Sequence, residues 1–140
     1  MKRNFLKVFF VMSVALLSAL NLNAQTSNDN TIYSYGDVEE FAEYPGGKDA
    51  LRAAIIANTV VPQEIIDANA YCTIYVIYVV EKDGTVSNLR VKNPSDDYYV
   101  KICEEAAMQA VSKLKNYIPA KIGSEAVRSE NEVPVGIMFY

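Results

Sequence analysis

The side chains best suited to chemistry in this sequence are two pairs of adjacent carboxylates, Asp96-Asp97 and Glu104-Glu105. Two neighbouring carboxyl groups can divide acid and base roles when their surroundings separate their pKa values. Both pairs, however, fall in the segment predicted as the longest helix. Asp96-Asp97 would oppose the dipole of its first turn, and Glu104-Glu105 would lie off its apolar stripe. We therefore predict solvated carboxylates that carry no catalysis.

The complete absence of histidine excludes several classes of site. Ser-His-Asp and Cys-His nucleophilic chemistry both require an imidazole, and so do the zinc sites that combine cysteine with histidine. We predict that the protein is not an enzyme and that it holds neither a metal ion nor a cofactor.

The amino terminus is typical of a secretory signal peptide. Three basic residues precede the 13-residue apolar run Val8–Leu20, and the small residue Ala24 stands before Gln25. A helix of that length covers only about 20 Å of a roughly 30 Å hydrocarbon core. We therefore expect residues 1–24 to be removed after Ala24, with no membrane anchor left and the mature chain in the periplasm.

The chain that remains after this cleavage is short and acidic. It has 116 residues, with ten basic and 17 acidic side chains, which makes the net charge −7. That length suits one domain with one core. The negative charge argues against nucleic acid as a partner, because binding to phosphates requires the opposite sign.

Local patterns predict a flexible segment at 25–37 and one α+β domain at 38–140. Proline and glycine mark the boundaries of its elements, and β-branched or aromatic runs mark its strands. The predicted order is helix, strand, strand, helix, strand, which gives a three-stranded antiparallel sheet with two main helices packed on one face. The predicted elements are a helix after Pro45-Gly46-Gly47, a short helix from Pro62, strands Tyr71–Glu81 and Val86–Asn93, a long helix ending near Lys115, and strand Val133–Phe139.

The first of these strands has an unusual outer face. Its core face is predicted to be Ile74, Val76, Tyr78 and Val80. The opposite face is also largely apolar, although an antiparallel sheet with one solvated face should be polar there. Two alternatives could cover this apolar face: residues Thr31–Val38, or a second copy of the chain in a homodimer.

The two cysteines are predicted to come close together. If Asp83-Gly84 is a two-residue turn, Cys72 lies opposite Ser95, where the long helix begins. Cys103 follows within about two helical turns. The expected export permits oxidation, so we predict a Cys72–Cys103 disulfide. The alternative is a pair of buried thiols that pack as small apolar groups.

Six short motifs in the same order resemble the C-terminal domain of TonB-type energy transducers. Together they cover Val38 to Tyr140. The resemblance implies a binding domain without catalysis, which grips a short extended segment at the periplasmic side of a TonB-dependent outer-membrane receptor. The motifs are Val38-Glu39-Glu40 with Glu43-Tyr44-Pro45-Gly46-Gly47, Pro62 before the first strand, Tyr78 to Gly84, Ile102 to Ala106, Tyr117-Ile118-Pro119-Ala120, and Val133-Pro134-Val135.

The sequence also departs from that family. A full transducer keeps its first helix in the inner membrane and has a long proline-rich spacer, whereas here 13 residues, Gln25–Asp37, precede the domain. Such a segment reaches at most about 45 Å. We expect a stand-alone binding module, competitor or accessory subunit. The alternative is a periplasmic scaffold or regulator with the same fold that binds another protein.

Proline in the last strand predicts where a partner binds. Pro134 has no N–H to donate, so the strand that contains it should be an edge strand. An open edge can accept an extended segment through backbone hydrogen bonds. The resemblance implies the same strand as the receptor-binding edge, and the alternative is an edge left unpaired or closed by a second copy. The predicted partner-binding residues are Val135, Gly136, Ile137, Met138, Phe139 and Tyr140.

Overall fold

The computed structural model describes residues 30–139, so the predicted signal peptide at 1–24, residues 25–29 and Tyr140 lie outside the described residues. The elements are β1 (Ile32–Tyr33), a 3₁₀ helix (Tyr35–Asp37), α1 (Gly47–Asn58), α2 (Gln63–Asp67), β2 (Cys72–Val80), β3 (Val86–Val91), α3 (Tyr98–Ser112), β4 (Ala120–Ile122) and β5 (Glu125–Ile137).

The strands form one sheet in the order β1-β5-β2-β3, and β4 also pairs with β5. Strand β2 is antiparallel to both β3 and β5, whereas β1 is parallel to β5. The predicted α+β class is confirmed. The three-stranded antiparallel sheet is wrong in detail, because β1 and β4 add two strands of only two and three residues. Strands this short have no readable periodicity.

The segment predicted to be flexible is ordered in its described part. Ile32 and Tyr33 lie opposite Arg128 and Ser129 of β5. The guanidinium of Arg128 also donates a hydrogen bond of 2.8 Å to the Asn30 carbonyl. Backbone pairing and the Arg128 side chain both hold the start of this segment to β5. The segment predicted to be flexible over 25–37 thus includes a two-residue strand.

The core lies between one face of the sheet and the helices. Helix α3 packs on β2, β3 and β5, and α1 and α2 pack against α3. The predicted inward face of β2 is confirmed, because each of its four residues is at most 5% exposed. Odd-numbered residues of β5 complete this layer. The residues that β2 and β5 contribute to this core are Ile74, Val76, Tyr78, Val80, Val133, Val135 and Ile137.

Two tyrosine hydroxyls share a hydrogen bond inside this core. The oxygens of Tyr78 and Tyr117 are 2.6 Å apart. Burial raises the pKa of Tyr117, and the neighbouring Tyr78 raises it further. Burial also raises the pKa of Tyr78, although its bond to Tyr117 opposes the change. Both phenols therefore remain neutral well above neutral pH, and each satisfies the other's buried oxygen.

Gly84 is buried, although the rest of the turn between β2 and β3 is exposed. Gly84 has a φ of 83°. Its N–H donates to the Glu81 carbonyl at 2.9 Å, and its own carbonyl accepts from the Tyr117 N–H at 3.0 Å. The turn thereby fastens the hairpin to the segment that follows α3.

The hairpin register changes along its length. A two-residue turn would put Val80 one position out of line with Val86, but the structure pairs these two residues. The pairing then shifts by one residue, so that Ile77 faces Arg90 as predicted. Asn88 adopts a φ of 49° near this shift, a conformation that asparagine accepts more readily than most residues.

Two of the four carboxylates in the adjacent pairs have structural roles. Asp97 caps α3, and its Oδ1 accepts from Tyr99 N–H at 3.0 Å and Val100 N–H at 3.1 Å. Glu104 is buried and accepts from the Ser95 N–H at 2.8 Å. The prediction that Glu104 is solvated is therefore wrong. Its carboxylate faces inward and binds the backbone of the loop before α3.

No helix between Asn30 and Phe139 has the length and apolar character needed to cross a membrane. The same stretch contains no cluster of three acidic or cysteine side chains arranged to hold a metal ion.

Candidate functional site

The predicted partner-binding residues do not all face the same way. Val135 and Ile137 are fully buried, so their side chains belong to the core. Gly136 is exposed, Met138 is half-buried and Phe139 is 71% exposed. Tyr140 is outside the described residues. A partner at this strand therefore meets the backbone of alternate residues, together with Met138 and Phe139.

The direction of the backbone groups in β5 follows from its neighbour β2. Tyr75 accepts a hydrogen bond of 2.9 Å from the Lys92 N–H, on the β3 side. In an antiparallel strand the N–H and C=O of one residue point the same way, and successive residues alternate. Tyr75 therefore forms no hydrogen bond with its β5 partner, which is Pro134. The backbone of Pro134 consequently points away from β2.

The same alternation assigns the rest of β5. Odd-numbered residues direct their backbone groups towards β2, and even-numbered residues direct theirs towards the opposite edge. On that second edge the groups of Glu130, Glu132 and Gly136 are complete, whereas Pro134 offers only its carbonyl. The missing N–H of Pro134 costs no bond within the sheet, which explains why proline is tolerated here.

Only the second half of β5 is open along this edge. Strand β1 pairs with residues 128 and 129 on this edge. Strand β4 pairs with residues 125–127 on the other side of β5, in line with β2, because Lys121 bonds to Glu40 and leaves odd-numbered residues of β5 to face β4. Among the described residues, no strand other than β2 pairs with Glu130–Ile137. The predicted edge strand is therefore next to last in the sheet order, with a short neighbour that leaves most of its length uncovered.

An aromatic pair lies beside the first part of the open edge. The rings of Tyr35 and Phe41 stack with their centroids 4.2 Å apart. Tyr35 lines a shallow cleft of about 290 Å³ with Ile77 and residues 130–132. The cover predicted from residues 31–38 is thus present in part, since Tyr71 and Tyr75 on the same outer face remain exposed.

Two ion pairs cross the outer face of the sheet above β2. Arg90 of β3 contacts Glu130 of β5 at 3.0 Å, and Lys92 contacts Glu132 at 3.0 Å. All four side chains are more than a third exposed, so each pair contributes little to stability. Their effect on the site is that the acidic side chains next to the open edge are already neutralised.

A partly buried ion pair holds β1 and the end of β2 to β5. Arg128 donates to the Glu81 carboxylate at 2.7 and 3.0 Å, and the Ser87 hydroxyl donates to the same carboxylate. The hydrogen bond from Arg128 is the main reason that the pKa of Glu81 is lowered. The glutamate therefore favours its charged form more strongly in the folded chain than in the unfolded one.

This shift predicts how Glu81→Gln depends on pH. A carboxyl group whose pKa is lowered by folding stabilises the fold at pH values above its pKa in the unfolded chain, which is about 4.3. This contribution is lost as the pH falls through the lower pKa of the folded chain. We expect Glu81→Gln to lower the urea midpoint at pH 7 and to have little effect near pH 3. The exposed Glu105→Gln is the control, and a Glu81→Gln loss of equal size at both pH values would contradict the role of its charge.

The two cysteines lie next to the far end of the open edge. The structure joins Cys72 and Cys103 as a disulfide with their Cα atoms 6.6 Å apart. Cys72 is also the partner of Ile137 in the β2–β5 pairing. The bridge therefore fastens the start of β2, and through it the end of β5, to helix α3.

Comparison with known proteins identifies the family. The family model of the Gram-negative bacterial TonB protein C-terminal domain matches residues 58–136, which is more than half of the chain. A comparison with curated proteins found no match. The matched region includes α2, the hairpin, α3 and nearly all of β5. Domains of this family are periplasmic protein-interaction domains tied to outer-membrane transport. The chain belongs to the TonB C-terminal domain family.

Proposed function

We propose that this chain is a periplasmic module that binds an extended segment of a TonB-dependent outer-membrane receptor by strand addition to β5. The observation that carries the proposal is the open edge at Glu130–Ile137, where no second strand of the described chain pairs. Family membership supports a partner linked to outer-membrane transport. The mature protein would begin at Gln25, after removal of the signal peptide.

Strand addition suits the chemistry of this edge. Glu130 and Glu132 are held by Arg90 and Lys92 on the outer face, so no free charge cluster selects a ligand here. Val135 and Ile137 are buried and cannot contact a partner through their side chains. Backbone hydrogen bonds at alternate residues therefore supply most of the recognition, as in other cases of β-augmentation.

Gly136 allows a direct test of backbone pairing. Its N–H points to the open edge, and an added Cβ would meet only the Met138 methyl group, at 3.6 Å. Gly136→Ala therefore preserves both the donor and the packing, whereas Gly136→Pro removes the donor and fills its place with ring carbons. Neither change disturbs the bonds to β2, because Gly136 faces away from that strand.

We expect Gly136→Ala to bind receptor-derived peptides nearly as well as the unmodified protein, and Gly136→Pro to bind roughly tenfold more weakly. Isothermal titration calorimetry with synthetic peptides from the periplasmic segments of outer-membrane receptors measures this. Circular dichroism checks that both variants fold. The pair Met138→Pro and Met138→Ala repeats the comparison two residues along.

Equal affinity of Gly136→Pro and Gly136→Ala would remove this edge as the binding site. Light scattering separates a further outcome: a homodimer in the unmodified protein that Gly136→Pro dissociates would show that a second copy closes the edge instead.

A further inference from the structure

Building on the proposed function, we infer that Pro134 sets the register of the bound segment and confines its pairing to the Gly136 side of the edge. The length of β5 that a partner can use depends on the order of hydrogen-bond donors and acceptors along the open edge.

The open edge is interrupted at one position. Glu132 and Gly136 each present an N–H and a carbonyl, because even-numbered residues face away from β2. Glu130 presents its carbonyl, since the parallel pairing of Tyr33 with Ser129 takes up the Glu130 N–H. Pro134 presents a carbonyl alone. A strand added antiparallel across this point would leave the carbonyl opposite Pro134 without a donor and would meet the proline ring there.

The size of this penalty decides between long and short pairing. A desolvated carbonyl without a partner costs about 1–3 kcal/mol, whereas each new backbone bond contributes on the order of 1 kcal/mol net. Pairing past Pro134 to reach Glu132 and Glu130 therefore yields little or nothing. A segment that stops at Pro134 avoids the penalty.

The surroundings favour the Gly136 side of Pro134. On the other side, residues 130–132 line a cleft together with Tyr35, which stacks on Phe41. On the Gly136 side, no segment of the described chain pairs with the edge. The absence of a side chain at Gly136 also leaves space for that of a partner, bounded by the Met138 methyl group.

Exposed apolar surface lies next to this part of the edge. Cys72 pairs with Ile137, so the preceding residue, Tyr71, lies beside the end of β5. Tyr71 is 79% exposed and Phe139 is 71% exposed. The occupant is accordingly a short extended segment of a receptor, with a few paired backbone groups and an apolar side chain at its end.

Pro134→Ala tests the inference, since it adds the missing donor at an exposed position that makes no bond to β2. Amide hydrogen exchange is measured with and without a saturating receptor-derived peptide. In the unmodified protein we expect the peptide to protect the amide of Gly136 and to leave that of Glu132 unchanged. In Pro134→Ala, protection should extend to residues 134 and 132, and affinity should rise several-fold.

Pro94→Ala is the matched control, because Pro94 is exposed in the loop before α3 and remote from this edge. It should change neither the affinity nor the pattern of protection. Protection of Glu132 by the peptide in the unmodified protein, or an unchanged pattern in Pro134→Ala, would overturn the register assignment and leave strand addition standing. A peptide that protects no amide of β5, or does not bind, would overturn both.

Discussion

Replacing Gly84 with alanine is expected to lower the free energy of unfolding by about 3 kcal/mol or more. Gly84 has a φ of 83°, which L-residues rarely adopt, and an added Cβ would collide with the Tyr117 carbonyl oxygen. The obstacle is backbone and cannot rotate away. Relieving the collision would lengthen the hydrogen bond that the Tyr117 N–H donates to the Gly84 carbonyl. It would also disturb the hydrogen bond between the Tyr78 and Tyr117 hydroxyls.

Gly123→Ala is the control for this prediction. Gly123 has a φ of 61°, but nothing lies within 4 Å of an added Cβ. It therefore has only the backbone cost, about 1–2 kcal/mol. Urea unfolding followed by circular dichroism gives both values, and their difference measures the contact with Tyr117. Equal losses for the two variants would show that the turn is not held against Tyr117 as described.

Removing the Cys72–Cys103 bridge is expected to destabilise the protein by about 3–4 kcal/mol in the chain-entropy model for residues 31 positions apart. We choose the double variant Cys72→Ala, Cys103→Ala. Alanine is preferable to serine because Cys103 is fully buried, and a serine hydroxyl there would lack a hydrogen-bond partner. Urea unfolding of oxidised protein and of the variant measures the difference.

Two further measurements separate the covalent bond from packing. Unmodified protein unfolded in the presence of a reductant should lose nearly as much stability as the double variant, whereas the variant itself should not respond to the reductant. Thiol titration of denatured, unreduced protein should detect no free thiol. Two free thiols would disprove the bridge in solution and favour packed cysteines.

The strongly patterned elements could be predicted from the sequence, and the short ones could not. The alternation of Ile74, Val76, Tyr78 and Val80 specifies a strand with one buried face, and Pro62 marks the start of α2. Strands β1 and β4 have too few residues to show alternation. These strands form because β5 is 13 residues long and its backbone N–H and C=O groups extend far enough to pair with both of them.

The burial of Glu104 and the backbone conformation of Asn88 could not be predicted from local patterns. Glu104 has a side chain that sequence patterns assign to solvent, yet it is buried because the Ser95 N–H requires an acceptor. The position of Asn88, with a φ of 49°, could not be anticipated from the hairpin signal at Asp83-Gly84. In both cases a tertiary requirement of the backbone outweighs the local preference of the residue.

The candidate edge was predictable only in outline. The lack of an N–H in Pro134 is visible in the sequence and indicates an edge. Which residues face that edge depends on the phase of hydrogen bonding, which the bond from Lys92 to Tyr75 establishes. The position of Tyr35 beside residues 130–132 could not be predicted from the sequence. It depends on the pairing of β1 with β5, which places the following residues next to this edge.

The pairing of β1 has a consequence for the order in which the sheet assembles. The Arg128–Asn30 bond joins residues 98 positions apart, so β1 can dock only after β5 is in place and a very long loop has closed. With two residue pairs to hold it, β1 should form last and detach most readily. Its detachment would lengthen the free edge of β5 back to Arg128 without unfolding the core, so the length of edge open to a partner varies with this equilibrium.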